Sequence, residues 1–222
     1  MVPLTAPHWE AVTPELQSLL AALGALPELR SFYLAGGTAL GLRLGHRISQ
    51  DLDFFADIET LGDELRYSIV GRLAEKHTVE RLQDSVLGLV LQVGSQPVSF
   101  FTYGYPLLAP TDVVNGVHIA DVIDIGMMKL DAIAGRGMRK DFYDLYFIAS
   151  LISLEDLFAK SREKYPGARG FDMRVLAALV DFSIADQQQE PQMLQPAGWD
   201  EVKAFFLAEA RRLGEEWFHR GS

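Results

Sequence analysis

Apolar positions recur with one period in the first half of the chain and another in the second. Leu16, Leu19, Leu20 and Leu23 fall at helical spacing behind Thr13-Pro14-Glu15. Thr13 suits the N-cap of that helix and Pro14 its first turn. Leu65, Ile69 and Leu73 predict a second helix within residues 61–77. Short apolar runs at residues 32–35, 51–56, 78–82, 86–93 and 98–103 have strand length, and residues 38–44 read as a short helix. Gly94-Ser95-Gln96-Pro97 predicts a hairpin turn between the last two strands. From Asp121 onward the pattern is helical, over residues 121–135, 141–151, 154–165, 173–182 and 199–218. Ser153 is the expected N-cap of the third of these, with Glu155 and Asp156 in its first turn. Residues 186–196, rich in glutamine and holding Pro191 and Pro196, read as a linker. The order predicts an α+β protein: a strand-rich core over residues 1–115 and a helical domain over 116–222.

Composition narrows the class. At 222 residues and 49% hydrophobic, with a mean hydropathy of +0.09, the chain can bury a sizeable core. No apolar run reaches the length of a membrane span. No basic residue precedes an apolar core at the N-terminus, so no secretory signal is expected. The absence of cysteine excludes disulfides and thiolate metal sites and suits the cytoplasm. A net charge of −10 and a pI near 4.9 argue against broad nucleic-acid binding, which needs clustered Lys and Arg. The densest basic run is Arg136, Arg139 and Lys140; joined by Arg43 and Arg47 it would make a local pocket for a nucleotide or an RNA end. The alternative is a solvated linker between two helices. An acidic surface also favours a basic protein partner.

The chemistry concentrates in Leu34-Ala35-Gly36-Gly37-Thr38-Ala39-Leu40 and, further on, His46-Arg47-Ile48-Ser49-Gln50-Asp51-Leu52-Asp53. Side chains two apart on a strand share a face, so Asp51 and Asp53 converge while Leu52 and Phe54 turn away. Paired carboxylates repel unless a cation lies between them, and Mg²⁺ takes one or two carboxylates together with waters and substrate phosphates. The structural alternative, Asp51 capping a turn and Asp53 solvated at an edge, fits poorly beside Leu52, Phe54 and Phe55. Gly36-Gly37 makes a strand-to-helix turn with or without a ligand. If Thr38 opens a helix, unpaired amides and the macrodipole there attract anions. The segment is neither a P-loop nor a dinucleotide fingerprint. Lys129, among Met127, Met128, Leu130 and Ile133, either snorkels at a surface or binds a triphosphate. Asp141 and Asp144 share a helix face and either cap that helix or belong to a site. Tyr103, Tyr105 and Phe101 are candidates to stack a base, with core packing the alternative for Phe101. The histidines show no ligand spacing.

Residues 32–56, FYLAGGTALGLRLGHRISQDLDFFA, resemble the opening motif of the AbiEii/AbiGii-type nucleotidyltransferase-like toxins, a family within the DNA polymerase β-like nucleotidyltransferase superfamily. A second block resembles that family's lysine-bearing helix and its Lys-Asp-x-x-Asp-Leu run: Asp124 to Ile133, Arg136, and Arg139-Lys140-Asp141-Phe142-Tyr143-Asp144-Leu145-Tyr146. Tyr105-Pro106-Leu107-Leu108 lies between them. The resemblance implies a nucleotidyltransferase-like mixed β-sheet core flanked by helices, with a C-terminal helical domain completing the cleft.

It also implies a Mg²⁺-dependent transfer of a nucleoside monophosphate from an NTP to a tRNA end or a protein hydroxyl, by the toxin of a toxin–antitoxin pair. Asp51 and Asp53 would hold the metal. Gly36, Gly37, Thr38, Arg47 and Lys129 would bind the nucleotide, and Lys129 and Asp141 would complete the catalytic set from the far side of the cleft. Ser49, Ser99 and Asp144 are supporting candidates. One departure stands out. Superfamily enzymes carry a third carboxylate on a later strand, and the aligned position here is Ser99, which cannot serve as a charged ligand or carboxylate base. Asp84 and Asp112 are the nearest acids to stand in. The alternative function is a degenerate protein of the same fold that binds a nucleotide or a partner without turnover.

Overall fold

A computed structural model describes residues 4–220 as two compact units, one ending at Asp121 and one beginning at Val122. The first is built on a mixed seven-stranded sheet in the order β3-β4-β5-β2-β1-β7-β6. The strands are β1 (Tyr33–Ala35), β2 (Leu52–Ala56), β3 (Val79–Asp84), β4 (Gly88–Val93), β5 (Gln96–Thr102), β6 (Asp112–Val114) and β7 (Val117–Ile119). β1 and β2 run antiparallel at the centre, and each has a parallel outer neighbour, β7 and β5 respectively. Three α-helices accompany the sheet: α1 (Pro14–Gly24), α2 (Gly36–Leu44) and α3 (Asp63–Ala74).

Local chemistry accounts for these elements. Thr13 Oγ1 accepts from the Leu16 amide at 3.2 Å, and Leu16, Leu19, Leu20 and Leu23 form the buried face of α1. β2 alternates strictly: Leu52, Phe54 and Ala56 are buried, while Asp53 and Phe55 are partly exposed on the other face. The buried face is sealed by Phe54 stacked on Phe100 at 5.3 Å, with Phe32 edge-on to Phe100 at 5.5 Å.

The pattern of apolar positions did not reveal the β6–β7 hairpin. Its strands have three residues each, too few to show a period. Its turn was nevertheless written in the chain: Asn115 and Gly116 take φ of 49° and 80°, as a two-residue Asn-Gly hairpin turn requires. That turn falls at the 115/116 boundary expected from the order of elements, and the first unit runs on to Asp121.

The second unit is helical: α4 (Val122–Arg136), α5 (Arg139–Ala149), α6 (Leu154–Ala159), α7 (Ser161–Lys164), α8 (Phe171–Ala178) and α9 (Trp199–Arg220). Ser153 caps α6, its Oγ accepting from the Asp156 amide at 3.1 Å. The single helix expected over residues 154–165 breaks at Lys160, so α7 starts afresh and brings Ser161 and Lys164 inward. Residues 186–196 are not a free linker. The Gln188 side chain accepts from the Arg139 amide at 2.9 Å, Glu190 accepts from the Tyr143 hydroxyl at 2.8 Å, and Asp186 accepts from the Trp199 indole at 2.7 Å. These bonds turn a polar, proline-bearing segment into a strap across α5. Among the described residues no helix is long and apolar enough to cross a membrane.

Candidate functional site

The path from β1 into α2 needs glycine twice, for different reasons. Gly36 has φ of +68°, a conformation strained for any residue with a Cβ. A Cβ there would also stand 3.2 Å from Asp53 Oδ2. Gly37 is ordinary in φ but crowded: a Cβ would fall 2.2 Å from Arg47 Nη2 and 3.0 Å from Ser49 Oγ. The opening of α2 is therefore packed against the buried guanidinium of Arg47, which also donates to the Ile48 carbonyl at 3.1 Å. The buried Thr38 hydroxyl donates to the Asp51 carbonyl and ties the first turn of α2 to the entry of β2. What Thr38 can offer an anion is thus its backbone amide.

Asp51 immediately precedes β2 and Asp53 lies on its partly exposed side; both are partly exposed. Ser49, buried, donates from Oγ to Asp51 Oδ1 at 3.2 Å, and its amide is held by the Ala11 carbonyl at 2.9 Å. Asp53 lies between Ala35 of β1 and Ser99 of β5 in register. Paired positions on neighbouring strands point to one face, so Ser99 stands beside Asp53. Asp84 and Asp112 do not substitute for it. They sit on β3 and β6, the two opposite edges of the sheet, each three strands from β2 and so about 14 Å away. Asp84 is tied to Arg66 and Arg81, and Asp112 to Arg43. Arg43 in turn donates to the Ala120 carbonyl at 2.6 Å and the Ile119 carbonyl at 3.2 Å, which makes it a strut of β7 and removes it from any anion pocket. His46 is wholly buried.

Among the described residues no group of three or more His, Asp or Glu is disposed to hold a metal ion. Two carboxylates on one strand face suit Mg²⁺, which completes its shell with waters and phosphate oxygens.

The second unit carries its own polar cluster. Lys129 of α4 and Asp141 and Asp144 of α5 are buried, and Lys129 Nζ lies 2.8 Å from Asp141 Oδ1 and 2.5 Å from Asp144 Oδ2. Arg136 grips Asp141 with a fork, Nε at 2.9 Å from Oδ2 and Nη2 at 3.0 Å from Oδ1. Burial is the largest influence on Asp141 and opposes its ionisation. Lys129 and Arg136 together outweigh it and hold the carboxyl below the usual carboxylate range. Arg139 lies over the Trp199 ring at 4.8 Å. The only local signal for the clamp of Arg136 on Asp141 is the five-residue spacing across Gly137, which suits a helix end folding back onto the next helix. A buried pair, Lys164 with Asp124 at 2.7 Å, had no signal in the sequence, because forty residues separate its members.

A sequence profile of the family described as nucleotidyl transferase AbiEii toxin, type IV TA system, matches residues 18–217. An uncharacterized protein of Aquifex aeolicus (strain VF5) is 37% identical over 206 residues, covering 90% of this chain and 97% of that protein. MenT4, a nucleotidyltransferase toxin of Mycobacterium tuberculosis H37Rv, superimposes with a TM-score of 0.57 at 17% identity, over 89% of this chain and 83% of its own. JHP933 from Helicobacter pylori gives a TM-score of 0.50 at 17% identity, over 93% and 91%. At that identity these two structures bear on the fold alone.

Proposed function

The chain belongs to the AbiEii family of nucleotidyltransferase toxins, and on that premise we propose that it moves a nucleoside monophosphate from an NTP to an acceptor hydroxyl. The acceptor oxygen bonds the α-phosphorus, the bond from that phosphorus to pyrophosphate breaks, and the hydroxyl proton is lost to solvent. The reading is supported by Asp53 on the partly exposed face of β2, with Asp51 just before that strand, and by a helix opened by Gly36 at positive φ. The amides of Gly37 and Thr38 and the guanidinium of Arg47 bind the departing phosphates. Asp51 and Asp53 would hold Mg²⁺, which supplies charge neutralisation on the triphosphate. Ser49 orients Asp51 through its hydroxyl. The family's second motif implies catalytic roles for Lys129 and Asp141, with Asp144 in support. The acceptor is a tRNA end or a protein hydroxyl, the partner is the antitoxin of a type IV pair, and the place of work is the cytoplasm.

A second reading has one observation in its favour. Ser99 occupies the strand position beside Asp53, where a third carboxylate would complete the metal site. A degenerate member of the fold, binding nucleotide without turnover, would tolerate that serine. Incubation with each α-labelled NTP, Mg²⁺ and total tRNA decides between them. Label in RNA or in protein establishes transfer. Nucleotide binding with no label transferred establishes the degenerate protein.

A further inference from the structure

Within the helical unit, residues 161–173 surround a pocket of about 490 Å³. That volume lies in the range of small-molecule sites, about 300–1,000 Å³. The pocket forms where the chain leaves α7, turns, and enters α8. Gly167 and Gly170 take φ of +87° and +72°, so the turn between the two helices is tight. Tyr165 and Phe171 line the pocket and are buried, with ring centroids 4.7 Å apart. The Tyr165 hydroxyl donates to the Met127 carbonyl at 3.0 Å, and Arg174, paired with Asp131 at 3.0 Å, lies over the Phe171 ring.

The polar lining is incomplete in two opposite senses. Arg162 and Arg169 are exposed, and among the described residues neither has an ion pair or a side-chain hydrogen bond. In a chain of net charge −10 a guanidinium readily finds a carboxylate, as Arg66, Arg81, Arg174, Arg211 and Arg212 do. Asp172 lines the same pocket, and its Oδ1 is buried without a hydrogen-bond partner among the described residues. A carboxylate oxygen cut off from water and given no donor is costly to keep. The two arginines suit an anion, and the Asp172 oxygen needs a donor. An inorganic anion meets the first demand and is repelled by the second. The ligand that meets both carries a phosphate at one end and a hydroxyl at the other. Tyr165 and Phe171 are taken up with each other and with Arg174, so the pocket is built for a sugar and not for a stacked base.

We propose that this pocket binds a sugar phosphate, free or as the ribose phosphate of a nucleotide, with the phosphate on Arg162 and Arg169 and a sugar hydroxyl donating to Asp172. Every residue of the site belongs to the helical unit and lies outside both sequence motifs. The site therefore stands whether or not the transfer reaction does.

Calorimetry on the full chain with ribose 5-phosphate, AMP and inorganic phosphate tests this. EDTA is present throughout to silence metal-dependent nucleotide binding, and none of the three ligands carries a pyrophosphate to displace. Ribose 5-phosphate should bind about tenfold or more tightly than inorganic phosphate, since one charge-assisted hydrogen bond separates them. AMP that binds more tightly still identifies a nucleotide as the source of the sugar phosphate, and AMP that binds less tightly identifies the free sugar. Arg162→Gln and Arg169→Gln should each weaken ribose 5-phosphate by about tenfold, with melting temperature unchanged because both side chains are exposed. Asp172→Ala should weaken ribose 5-phosphate and strengthen inorganic phosphate, opposite signs that a general loss of structure cannot produce. If that variant melts early, Asp172→Asn replaces it. The amide keeps an acceptor and loses the charge, so inorganic phosphate alone should gain. Wild type that holds ribose 5-phosphate no better than inorganic phosphate overturns the proposal. So do unchanged affinities in both arginine variants, and so does loss of ribose 5-phosphate binding in the Asp51→Asn, Asp53→Asn double variant, which would place the ligand at that motif instead.

Discussion

The guanidinium of Arg47 fills the space that a side chain on residue 37 would need, its Nη2 only 2.2 Å from the Cβ position of Gly37. A cation at the opening of a helix opposes the helix dipole, which is positive at that end. The fold holds the two together in a buried setting, with Arg47 4% exposed. Their summed positive potential attracts an anion at that point. The missing side chain at Gly37 therefore serves charge placement as much as backbone shape.

Gly37→Ala forces the Arg47 guanidinium aside by more than a small adjustment. Overpacking of this kind costs about 1–3 kcal/mol. Mg²⁺–NTP affinity is expected to fall by about tenfold, or roughly 1.4 kcal/mol, beyond what the stability loss accounts for. Calorimetric titration beside thermal melting checks this. Binding that declines only as far as the folded fraction declines would make Gly37 purely structural.

Asp51→Asn combined with Asp53→Asn keeps the size of both side chains and removes their charge. The substituted side chain at position 51 can still accept from the Ser49 hydroxyl through its amide oxygen. The double variant should melt within a few degrees of wild type and show no metal-dependent NTP binding. Wild-type Mg²⁺–NTP affinity in this variant would remove the carboxylate pair from the site.

Much of this arrangement can be read from the chain, and the part that cannot has a common cause. The leucine face of α1, the caps Thr13 and Ser153 and the alternation of β2 are local, set by residues within a few positions of one another. The break at Lys160 and the hairpin at Asn115-Gly116 are local too, but short elements blur the period. What stays hidden is long-range. The pairing of Asp53 with Ser99 depends on strand register, which the pattern constrains to a face but not to a partner. Arg43 is basic and near the motif, yet its bonds go to Ile119 and Ala120, more than seventy positions away. Lys164 meets Asp124 only after α7 has turned inward.

Lys129→Met leaves the buried carboxylates of Asp141 and Asp144 without the cation between them. Removing one partner of such a cluster costs roughly 3–5 kcal/mol. The pH dependence gives a second readout. The folded Asp141 carboxyl lies below its usual range, so its contribution is fully present above the unfolded value, about 4, and is lost as pH falls through the folded one. Wild type should lose stability on acidification below about pH 4. In Lys129→Met that contribution shrinks, because the remaining partner is the half-exposed Arg136. Urea melts from neutral pH downward should therefore show a weaker acid-side loss in the variant than in wild type. Equal pH profiles would show that Lys129 does not set the Asp141 ionisation.

Ser99→Asp decides what the serine beside Asp53 means. Neighbouring strands are about 4.8 Å apart, so a carboxylate introduced there faces Asp53 directly. Without a divalent cation the added charge, buried and next to a like charge, should destabilise the chain by roughly 3 kcal/mol. With Mg²⁺ present, three acids instead of two surround the ion and the melting temperature should recover. That cation-dependent recovery reads the geometry without reference to turnover. If it is accompanied by transfer activity where wild type has little, the serine marks a degenerate site and the acid restores it by binding metal or taking the acceptor proton. If wild type is already fully active, two aspartates suffice and the serine leaves room for the acceptor. A loss of stability that Mg²⁺ does not reverse would mean that the Ser99 side chain lies outside the reach of any metal on Asp51 and Asp53, and the register between β2 and β5 would then carry no catalytic meaning.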